Sequence, residues 1–191
     1  LMASFSDPVA IYGNGGILLW PKKFGIYTYQ EVLKNSQVWL GYRNTILYVA
    51  CGGLLSLSLT ISAAFCLTRR GLPGRNGILF LILFTMYFSG GLIPSYLVVR
   101  SLKLLDTPFA VLLPGAVSTY NLIITITYFR GLPYELEEAA KIDGAGDYTV
   151  LFRIMVPLAT PIIAVIALYY MVGIWNNYFT PMLYLNKRSL F

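Results

Sequence analysis

Residues able to do acid–base or ionic chemistry are concentrated in one segment of the chain, Gly131–Pro157. This segment holds five of the eight acidic residues in the 191-residue sequence. The sequence contains no His, which excludes Ser-His-Asp catalysis and His-ligated metal sites. It also lacks a G-x-x-x-x-G-K-S/T loop of the kind that binds the phosphates of ATP. We therefore predict no catalytic residue, no metal and no cofactor, and we interpret the acidic segment as a binding surface.

Two short helices, joined at Gly144-Ala145-Gly146, are predicted to position these acidic residues. Pro133 suits the first helical position, and this places Glu135, Glu137 and Glu138 near the positive end of the helix dipole. Gly144 can adopt the left-handed conformation that ends a helix. The carboxylates should therefore surround the first helix on the side of its N-terminus.

The second helix is expected to begin at Tyr148, with Asp147 as its N-cap, and to be interrupted at Pro157. In the first helix, the small residues Ala139 and Ala140 would let another surface approach the backbone closely. The carboxylates around them offer partners for Arg or Lys. We predict a docking surface for a second protein. A solvated loop with a charged helix is the alternative interpretation of the same residues.

Charged residues are absent from four long stretches, and apolar residues make up 57% of the chain. A helix that crosses a bilayer needs about 20 mostly apolar residues. We therefore predict an all-α transmembrane helical bundle with four spans, the last helical over about Pro161–Tyr178. A disordered chain, a nucleic-acid-binding module and a disulfide-stapled secreted fold are excluded. The four uncharged stretches are Asn44–Thr68, Asn76–Val99, Thr107–Phe129 and Ile154–Asn186.

The positions of Arg and Lys predict how these spans are oriented. Three Arg residues lie in the seven-residue loop 69–75, and short loops rich in Arg and Lys stay in the cytoplasm. Alternation then places residues 100–106 outside and the acidic loop, residues 130–157, inside. Both chain ends fall outside, and residues 1–43 form an outer segment with a short helix over about Tyr29–Asn35. We predict a single domain, 1–191, that is a fragment lacking a flanking helix at each end.

The acidic loop resembles a motif of known transport proteins. Glu138-Ala139-Ala140 is followed after three residues by Gly144, and after nine more by Ile154-Met155-Val156-Pro157. This pattern is similar to the EAA loop of ATP-binding-cassette (ABC) importer permeases. Asp143, directly before the glycine, also fits the pattern, whereas Val156 stands where Leu is usual.

Three further segments resemble the carbohydrate-importer branch of these permeases. They are the loop Arg70–Arg75, the run Trp175-Asn176-Asn177-Tyr178 and the approach to the first span around Trp20-Pro21. The segment Phe88–Tyr96 resembles the oligosaccharide permeases in particular. The resemblance therefore implies import of a sugar or oligosaccharide. An ABC permease for an amino acid, phosphate or polyamine is one alternative, and a membrane scaffold or channel without ATP coupling is another.

The resemblance implies a type I permease subunit of six helices in the cell membrane, with its acidic loop in the cytoplasm. A separate ATPase dimer would hydrolyse ATP, so this chain is not itself expected to be an enzyme. A second permease subunit and an outer solute-binding protein are the other implied partners, and no nucleic acid is expected. The residues expected to couple the permease to the ATPase are Glu138, Ala139, Ala140, Asp143, Gly144 and Pro157.

The uncharged stretches contain polar and helix-breaking residues that could line a translocation pathway. Gly90, Gly91 and Pro94 should loosen the helix of the second stretch, since Pro94 cannot donate an N–H, and Pro114-Gly115 is a candidate kink in the third. Broken backbone at membrane depth must be buried in protein or line water, and a kink made for packing is the alternative. The candidates are Gly90, Gly91, Pro94, Tyr120, Asn121, Asn176 and Asn177. In the first stretch Gly52, Ser56, Thr60 and Ala64 recur every four residues, a pattern that predicts close helix packing. The stretches hold no ionisable carboxylate, Lys or Arg, so we expect the energy for transport to enter from outside the bilayer.

Overall fold

The computed structural model describes Phe5, residues 25–69 and residues 71–190, and most of the predicted outer segment lies outside this part. The chain divides into two compact units, residues 1–44 and residues 45–191. In the first unit, a helix at Tyr27–Lys34 occupies nearly the position expected for the short outer helix. The second unit carries the acidic loop and the candidate pathway residues.

Helices make up most of the described residues. The first six are α1 (Tyr27–Lys34), α2 (Ser36–Thr68), α3 (Arg75–Tyr87), α4 (Leu92–Ser101), α5 (Pro108–Leu112) and α6 (Thr119–Arg130). They are followed by α7 (Tyr134–Ile142), α8 (Asp147–Val150), a π-helical turn (Leu151–Met155), α9 (Val156–Leu158), α10 (Thr160–Trp175), α11 (Phe179–Tyr184) and a 3-10 turn (Arg188–Leu190).

The number of membrane spans differs from the predicted four. In the described part of the chain, α2 alone is an uninterrupted helix long and apolar enough to cross a bilayer. Two bent pairs raise the number to three if each is counted as one span: α3 with α4, bent by 120°, and Asp147–Leu158 with α10, bent by 85°. The third uncharged stretch is divided into α5 and α6, because Pro114-Gly115 lies in the break between them. Neither helix reaches the length of a span.

The second uncharged stretch breaks at its glycines and not at its proline. Helix α3 ends at Tyr87, and α4 begins at Leu92 after Gly91, whose φ is +84°. Pro94 is the third residue of α4. An N–H in the first turn of a helix has no partner within the helix, so the missing N–H of Pro94 costs nothing there. The predicted loosening at Gly90 and Gly91 is confirmed, whereas the expected effect of Pro94 is wrong.

The small-residue stripe of α2 packs against neighbouring helices, as predicted. Gly52, Ser56, Thr60 and Ala64 are all buried. A Cβ atom built on Gly52 would lie 2.8 Å from Cδ2 of Leu112 and 3.0 Å from Cδ1 of Ile174. Only a glycine lets α5 and α10 approach α2 this closely without displacing those methyl groups.

The main hydrophobic core joins α2, α6 and α10 to the acidic loop. Its members include Phe65 of α2, Ile126 and Phe129 of α6, Ala140 of α7, Val150 of α8, Leu151 of the π-helical turn and Ile166 of α10. Three of these residues belong to the acidic loop, so that loop is packed on the bundle through apolar side chains. The exposed polar residues of the loop are therefore held in position by this apolar packing.

The loops between the helices meet in two groups. Residues 100–106 lie beside the C-terminal residues, since the Asp106 N–H donates to the Tyr184 carbonyl over 3.0 Å. The Asp106 carboxylate accepts a hydrogen bond from the Asn186 N–H, which lowers the pKa of Asp106 below its ordinary value. The loop after α2 instead contacts the acidic loop through Arg69.

Candidate functional site

The acidic loop forms two helices that meet at a glycine turn. Helix α7 ends at Ile142, and Gly144 follows with φ +82°, in the left-handed region that favours glycine. The chain re-enters helix at Asp147. The predicted helix end at Gly144 is thus confirmed. Pro133 precedes α7 as its N-cap instead of occupying the first helical position.

Two expectations for the second helix are wrong. Asp147 is its first residue and not its N-cap, a position held by Gly146, and the Asp147 carboxylate lies 3.4 Å from the Arg69 guanidinium. The helix also continues through Pro157 to Leu158. A π-helical turn over Leu151–Met155 widens the helix just before the proline, and the 85° bend follows at Ala159. The ion pair joins residues far apart in the sequence, and the π turn is a property of the backbone, so residue types revealed neither.

The six predicted coupling residues do not share one environment. Glu138, Ala139, Asp143 and Gly144 are exposed around the end of α7, whereas Ala140 is buried in the core. Pro157 is exposed on α9, beyond the π turn. The expectation that both alanines face outward is therefore wrong, because neighbouring residues of an α-helix point about 100° apart. Ala139 therefore adds little side-chain volume to the exposed surface, and Ala140 packs the loop onto the core.

The same exposed surface contains two apolar residues that sequence reasoning missed. Ile142 is 86% exposed and Tyr148 is 82% exposed, one at the end of α7 and one at the start of α8. Both flank the Gly144 turn. Together with Glu138, Ala139, Asp143 and Gly144 they form what we call the loop surface, which combines apolar contact area with carboxylates. Tyrosines are enriched at protein–protein interfaces, and charged groups occur at their polar rims.

Sequence reasoning also missed an ionic cluster behind this surface. The Arg69 guanidinium makes an ion pair with Glu137 of α7, and Lys141 lies 3.0 Å from the same Glu137 carboxylate. The guanidinium also lies 3.8 Å from the ring centroid of Phe65. Burial lowers the pKa of Arg69 below its ordinary value, and the nearby Asp147 carboxylate opposes this shift. The sequence does show an Arg-rich loop and an acidic loop that could form ion pairs. It does not show which Arg pairs with which carboxylate, because many other pairings are equally possible.

A second feature of the site is a cavity of about 760 Å³ within the second unit. It lies between α2, the break that separates α5 from α6, and α10. The structure brings three predicted pathway residues into its wall: Tyr120, Asn121 and Asn177. The other lining residues are Ser56, Val111, Leu112, Gly115, Ser118, Leu168, Tyr169, Tyr170, Val172, Gly173 and Ile174.

The remaining four pathway candidates do not line this cavity. Gly90, Gly91 and Pro94 are exposed around the break between α3 and α4. Asn176 is exposed, and its side-chain amide donates to the Val172 carbonyl over 3.0 Å. Asn177 differs from its neighbour, since its side-chain carbonyl accepts from the Thr180 N–H over 3.2 Å at the edge of the cavity.

Tyr170 lines the cavity and makes two polar contacts through its hydroxyl, and the sequence did not predict it as a pathway residue. Its hydroxyl lies 2.7 Å from the Thr60 hydroxyl and accepts a hydrogen bond from the Ser118 N–H over 3.0 Å. These contacts connect α2, α10 and the residue before α6. Ser118 in turn caps α6, because its hydroxyl accepts from the Asn121 N–H.

The chemistry of the lining suits a ligand that combines hydroxyl groups with apolar faces. Tyr120 and Tyr169 offer aromatic rings, Asn121 and Asn177 offer amides, and Ser56 offers a hydroxyl. Among the described residues that line the cavity, none carries a charge. Binding there would rest on hydrogen bonds and aromatic contact, as in many sites for small polar molecules.

Comparison with known proteins identifies the group to which this fold belongs. Residues 38–189 match the family described as "Binding-protein-dependent transport system inner membrane component". Protein LplC of Bacillus subtilis (strain 168) is 45% identical over 171 residues, which cover 90% of this chain and 58% of that protein. The polygalacturonan/rhamnogalacturonan transport system permease protein YtcP of the same organism is 40% identical, covering 99% of this chain and 66% of the relative. This chain therefore spans about 58–66% of the length of these curated relatives.

A solved structure agrees with the sequence relatives. The crystal structure of a bacterial ABC transporter involved in the import of the acidic polysaccharide alginate contains a chain that superposes with a TM-score of 0.91 and 35% identity. The match covers 98% of this chain and 66% of the other. The family match extends over most of the chain and includes both the acidic loop and the residues of the cavity. This chain belongs to the family of binding-protein-dependent transport system inner membrane components, the permeases of ABC importers.

Proposed function

We propose that this chain acts as a transmembrane permease subunit of an ABC importer that moves a saccharide into the cell. ATP hydrolysis takes place in a separate ATPase subunit that docks on the loop surface. The observation that carries the proposal is the loop surface itself: exposed Glu138, Ala139, Asp143 and Gly144 on a loop whose other side is packed into the core. A partner that pushes on this surface moves the bundle with it, because Ala140, Val150 and Leu151 bind the loop to α2, α6 and α10.

The cytoplasmic position of the loop is part of the same proposal. The Arg-rich loop 69–75 contacts the acidic loop, and residues 100–106 contact the C-terminal residues, as expected if the two groups lie on opposite sides of the membrane. A second permease subunit completes the pathway, and an outer solute-binding protein delivers the substrate. Both partners follow from the family to which the chain belongs.

A saccharide is the proposed substrate class. The relatives whose names state a substrate include permeases for polygalacturonan/rhamnogalacturonan and for arabinooligosaccharides. The cavity supports this class, because it places Tyr120, Asn121 and Asn177 around a space of about 760 Å³. Aromatic faces stack on the apolar face of a sugar ring, while amides and hydroxyls bind its hydroxyl groups. Tyr120, Asn121 and Asn177 are the proposed pathway residues of this subunit.

Reconstitution of the complete transporter tests the proposal. The permease is coexpressed with its partner permease, the ATPase and the solute-binding protein, and inserted into liposomes. Saccharide-loaded binding protein is expected to stimulate ATP hydrolysis and saccharide uptake, and an ATPase subunit is expected to copurify with the permease. Failure to copurify would favour the scaffold or channel alternative. Stimulation by amino acids, phosphate or polyamines but by no saccharide would overturn the substrate class.

A further inference from the structure

Arg69 is not among the residues to which the proposed function gives a role, yet it makes more ionic contacts than the coupling residues do. It directly follows α2, whose last residue is Thr68. One nitrogen of its guanidinium pairs with Glu137 of α7, and the other lies 3.4 Å from Asp147 at the start of α8. The same side chain therefore contacts both helices of the acidic loop.

The surroundings of Arg69 hold it in place on the α2 side as well. Its guanidinium stacks over Phe65, one turn back in α2, and Phe65 is buried in the main core. The side chains of Arg69 and Glu137 are only 17% and 12% exposed. Ion pairs that are removed from water in this way are sensitive to loss of one partner, since the other charge is then left without compensation.

The charges of the cluster balance, which argues for a mechanical role over ligand binding. Two cations, Arg69 and Lys141, face two acids, Glu137 and Asp147. Glu137 lies next to Glu138 of the loop surface but points about 100° away from it around α7, and its side chain is only 12% exposed while Glu138 is exposed. A displacement of the loop surface therefore acts on Glu137 directly.

Helix α2 offers a direct route from this cluster to the cavity. Ser56 of α2 lines the cavity, and Arg69 follows it by 13 residues, about 20 Å along a helix. A helix of this length transmits a displacement at one end to the other, since its backbone is held by its own hydrogen bonds. The cluster thus connects the surface on which a partner would dock with a helix that lines the cavity.

We propose that Arg69 is a positioning residue that transmits movement of the loop surface to α2, so that ATP hydrolysis by the docked partner is coupled to opening of the cavity. This inference rests on the proposed function. An arginine is needed because its planar group bridges two carboxylates and stacks on a ring at the same time, whereas the point charge of a lysine does one of these at best.

The test uses the reconstituted transporter and measures saccharide molecules taken up per ATP hydrolysed. Arg69→Gln and Glu137→Gln are each expected to lower this ratio about fivefold or more, a change within the usual range of coupling between sites. The double variant R69Q/E137Q removes one charge of each sign and is expected to lose no more than either single variant. Arg69→Lys should retain part of the ratio. Copurification of the ATPase and the melting temperature of each complex are measured alongside.

Arg75→Gln is the matched control. Arg69 and Arg75 both line a second cavity, of about 560 Å³, beside the acidic loop, but Arg75 makes no ion pair within the described residues. Its replacement should leave the uptake per ATP within about twofold of the wild type. Because Arg75 lies in the same Arg-rich loop, this control separates the specific contacts of Arg69 from the general positive charge of the loop.

The possible outcomes distinguish failure of the role given to Arg69 from failure of the proposed function. A wild-type ratio in R69Q, additive losses in the double variant, or an equal loss in R75Q would overturn the role of Arg69 and leave the proposed function intact. The role of Arg69 would also be overturned if, across the variants, uptake fell only in proportion to the loss of copurified ATPase or of melting temperature. Arg69 would then contribute only to folding or assembly. Absence of saccharide-stimulated hydrolysis in the wild type would instead overturn the proposed function.

Discussion

At the scale of single residues, the direction of each side chain decides what the acidic loop can bind. Glu137 and Glu138 are the same residue type at adjacent positions, but Glu137 pairs with Arg69 and Lys141 while Glu138 is exposed. Ala139 and Ala140 are divided in the same way between surface and core. Under the proposed function, a docked partner would therefore meet one member of each pair, Glu138 and Ala139, while Glu137 and Ala140 hold the loop on the bundle.

The turn between the two helices gives a prediction at this scale. Gly144 has φ +82° and no atom within 4 Å of an added Cβ, so Gly144→Ala meets backbone strain and no clash. We expect a loss of about 1–2 kcal/mol in the local stability of the turn, and more for Gly144→Val. Hydrogen exchange of the α7 amides measures the loss of stability, and ATPase stimulation in the reconstituted transporter measures its effect on coupling.

Gly146 provides the comparison for that prediction. Its φ of −73° is one that any residue adopts, and an added Cβ meets nothing within 4 Å. Gly146→Ala should change stability by less than about 0.5 kcal/mol and leave ATPase stimulation as it is. If Gly144→Ala and Gly146→Ala behave alike, the left-handed turn is not what the loop surface requires.

Residue types and spacing predicted the turn at Gly144 but not the cluster behind it. The left-handed helix end depends on a local property of glycine, and spacing alone therefore locates it. The contact of Arg69 with Glu137 joins residues 68 positions apart along the chain, and its formation depends on how α2 packs against α7. Long-range ion pairs of this kind follow from tertiary packing, which a single sequence does not determine.

At the scale of helices, the uncharged stretches located the apolar segments correctly but not their breaks. The absence of charged residues can be read directly from the sequence, and α2, α3 and α10 lie where the uncharged stretches predicted apolar helices. The break between α5 and α6 contains Pro114-Gly115, so residue types did locate it, whereas the 85° bend before α10 follows a π-helical turn that residue types did not reveal. Proline positions alone were an unreliable guide: Pro114 lies in a break, as expected, whereas Pro94 and Pro157 lie within helices.

Tyr170 carries a prediction about how the helices are held at the α5–α6 break. Its hydroxyl contacts the Thr60 hydroxyl and accepts from the Ser118 N–H. Tyr170→Phe leaves that N–H without this partner at a largely buried site, which should cost about 1–3 kcal/mol of stability. Thermal unfolding of the purified complex in detergent measures the loss.

Tyr169→Phe is the control, because it removes a hydroxyl from an exposed neighbour on the same cavity and should cost less than about 0.5 kcal/mol. Equal melting temperatures for the two variants would contradict the role given to Tyr170.

The packing of α2 against α5 and α10 gives a second prediction at this scale. An added Cβ at Gly52 comes within 2.8 Å of Leu112 and 3.0 Å of Ile174, whereas at Gly53 the nearest atom, on Met171, is 3.5 Å away. Gly53→Ala should be neutral or stabilising, because Ala is favoured over Gly by up to about 1 kcal/mol in a helix. Gly52→Ala should be less stable than Gly53→Ala by about 1 kcal/mol, since two packed methyl groups must move. Melting temperatures of the two variants test this, and a Gly52→Ala protein as stable as Gly53→Ala would contradict it.

At the scale of the whole molecule, the loop surface and the cavity are parts of one unit, residues 45–191. The core that anchors the loop through Ala140 and Val150 also contains Ile162 and Ile166 of α10, the helix that contributes Tyr169 and Tyr170 to the cavity wall. Helix α2 contributes Ser56 to the same wall and ends beside Arg69. Movement of the loop is therefore expected to change the shape of the cavity through two helices at once, as the proposed coupling to a docked ATPase requires.

The substrate class is tested at this scale by the aromatic wall of the cavity. Tyr120 is 53% exposed and lines the cavity, whereas Tyr178 is more exposed and lies outside the lining. If a saccharide passes through the cavity, Tyr120→Ala removes an aromatic contact of about 0.5–1.5 kcal/mol and should raise the KM for uptake roughly 2- to 12-fold. Tyr178→Ala, which removes the same atoms elsewhere, should leave KM within about twofold. Because neither residue belongs to the loop surface, basal ATP hydrolysis should stay the same in both variants. An equal rise of KM in both, or none in Tyr120→Ala, would place the substrate outside this cavity, since Tyr120 lines the cavity and Tyr178 does not.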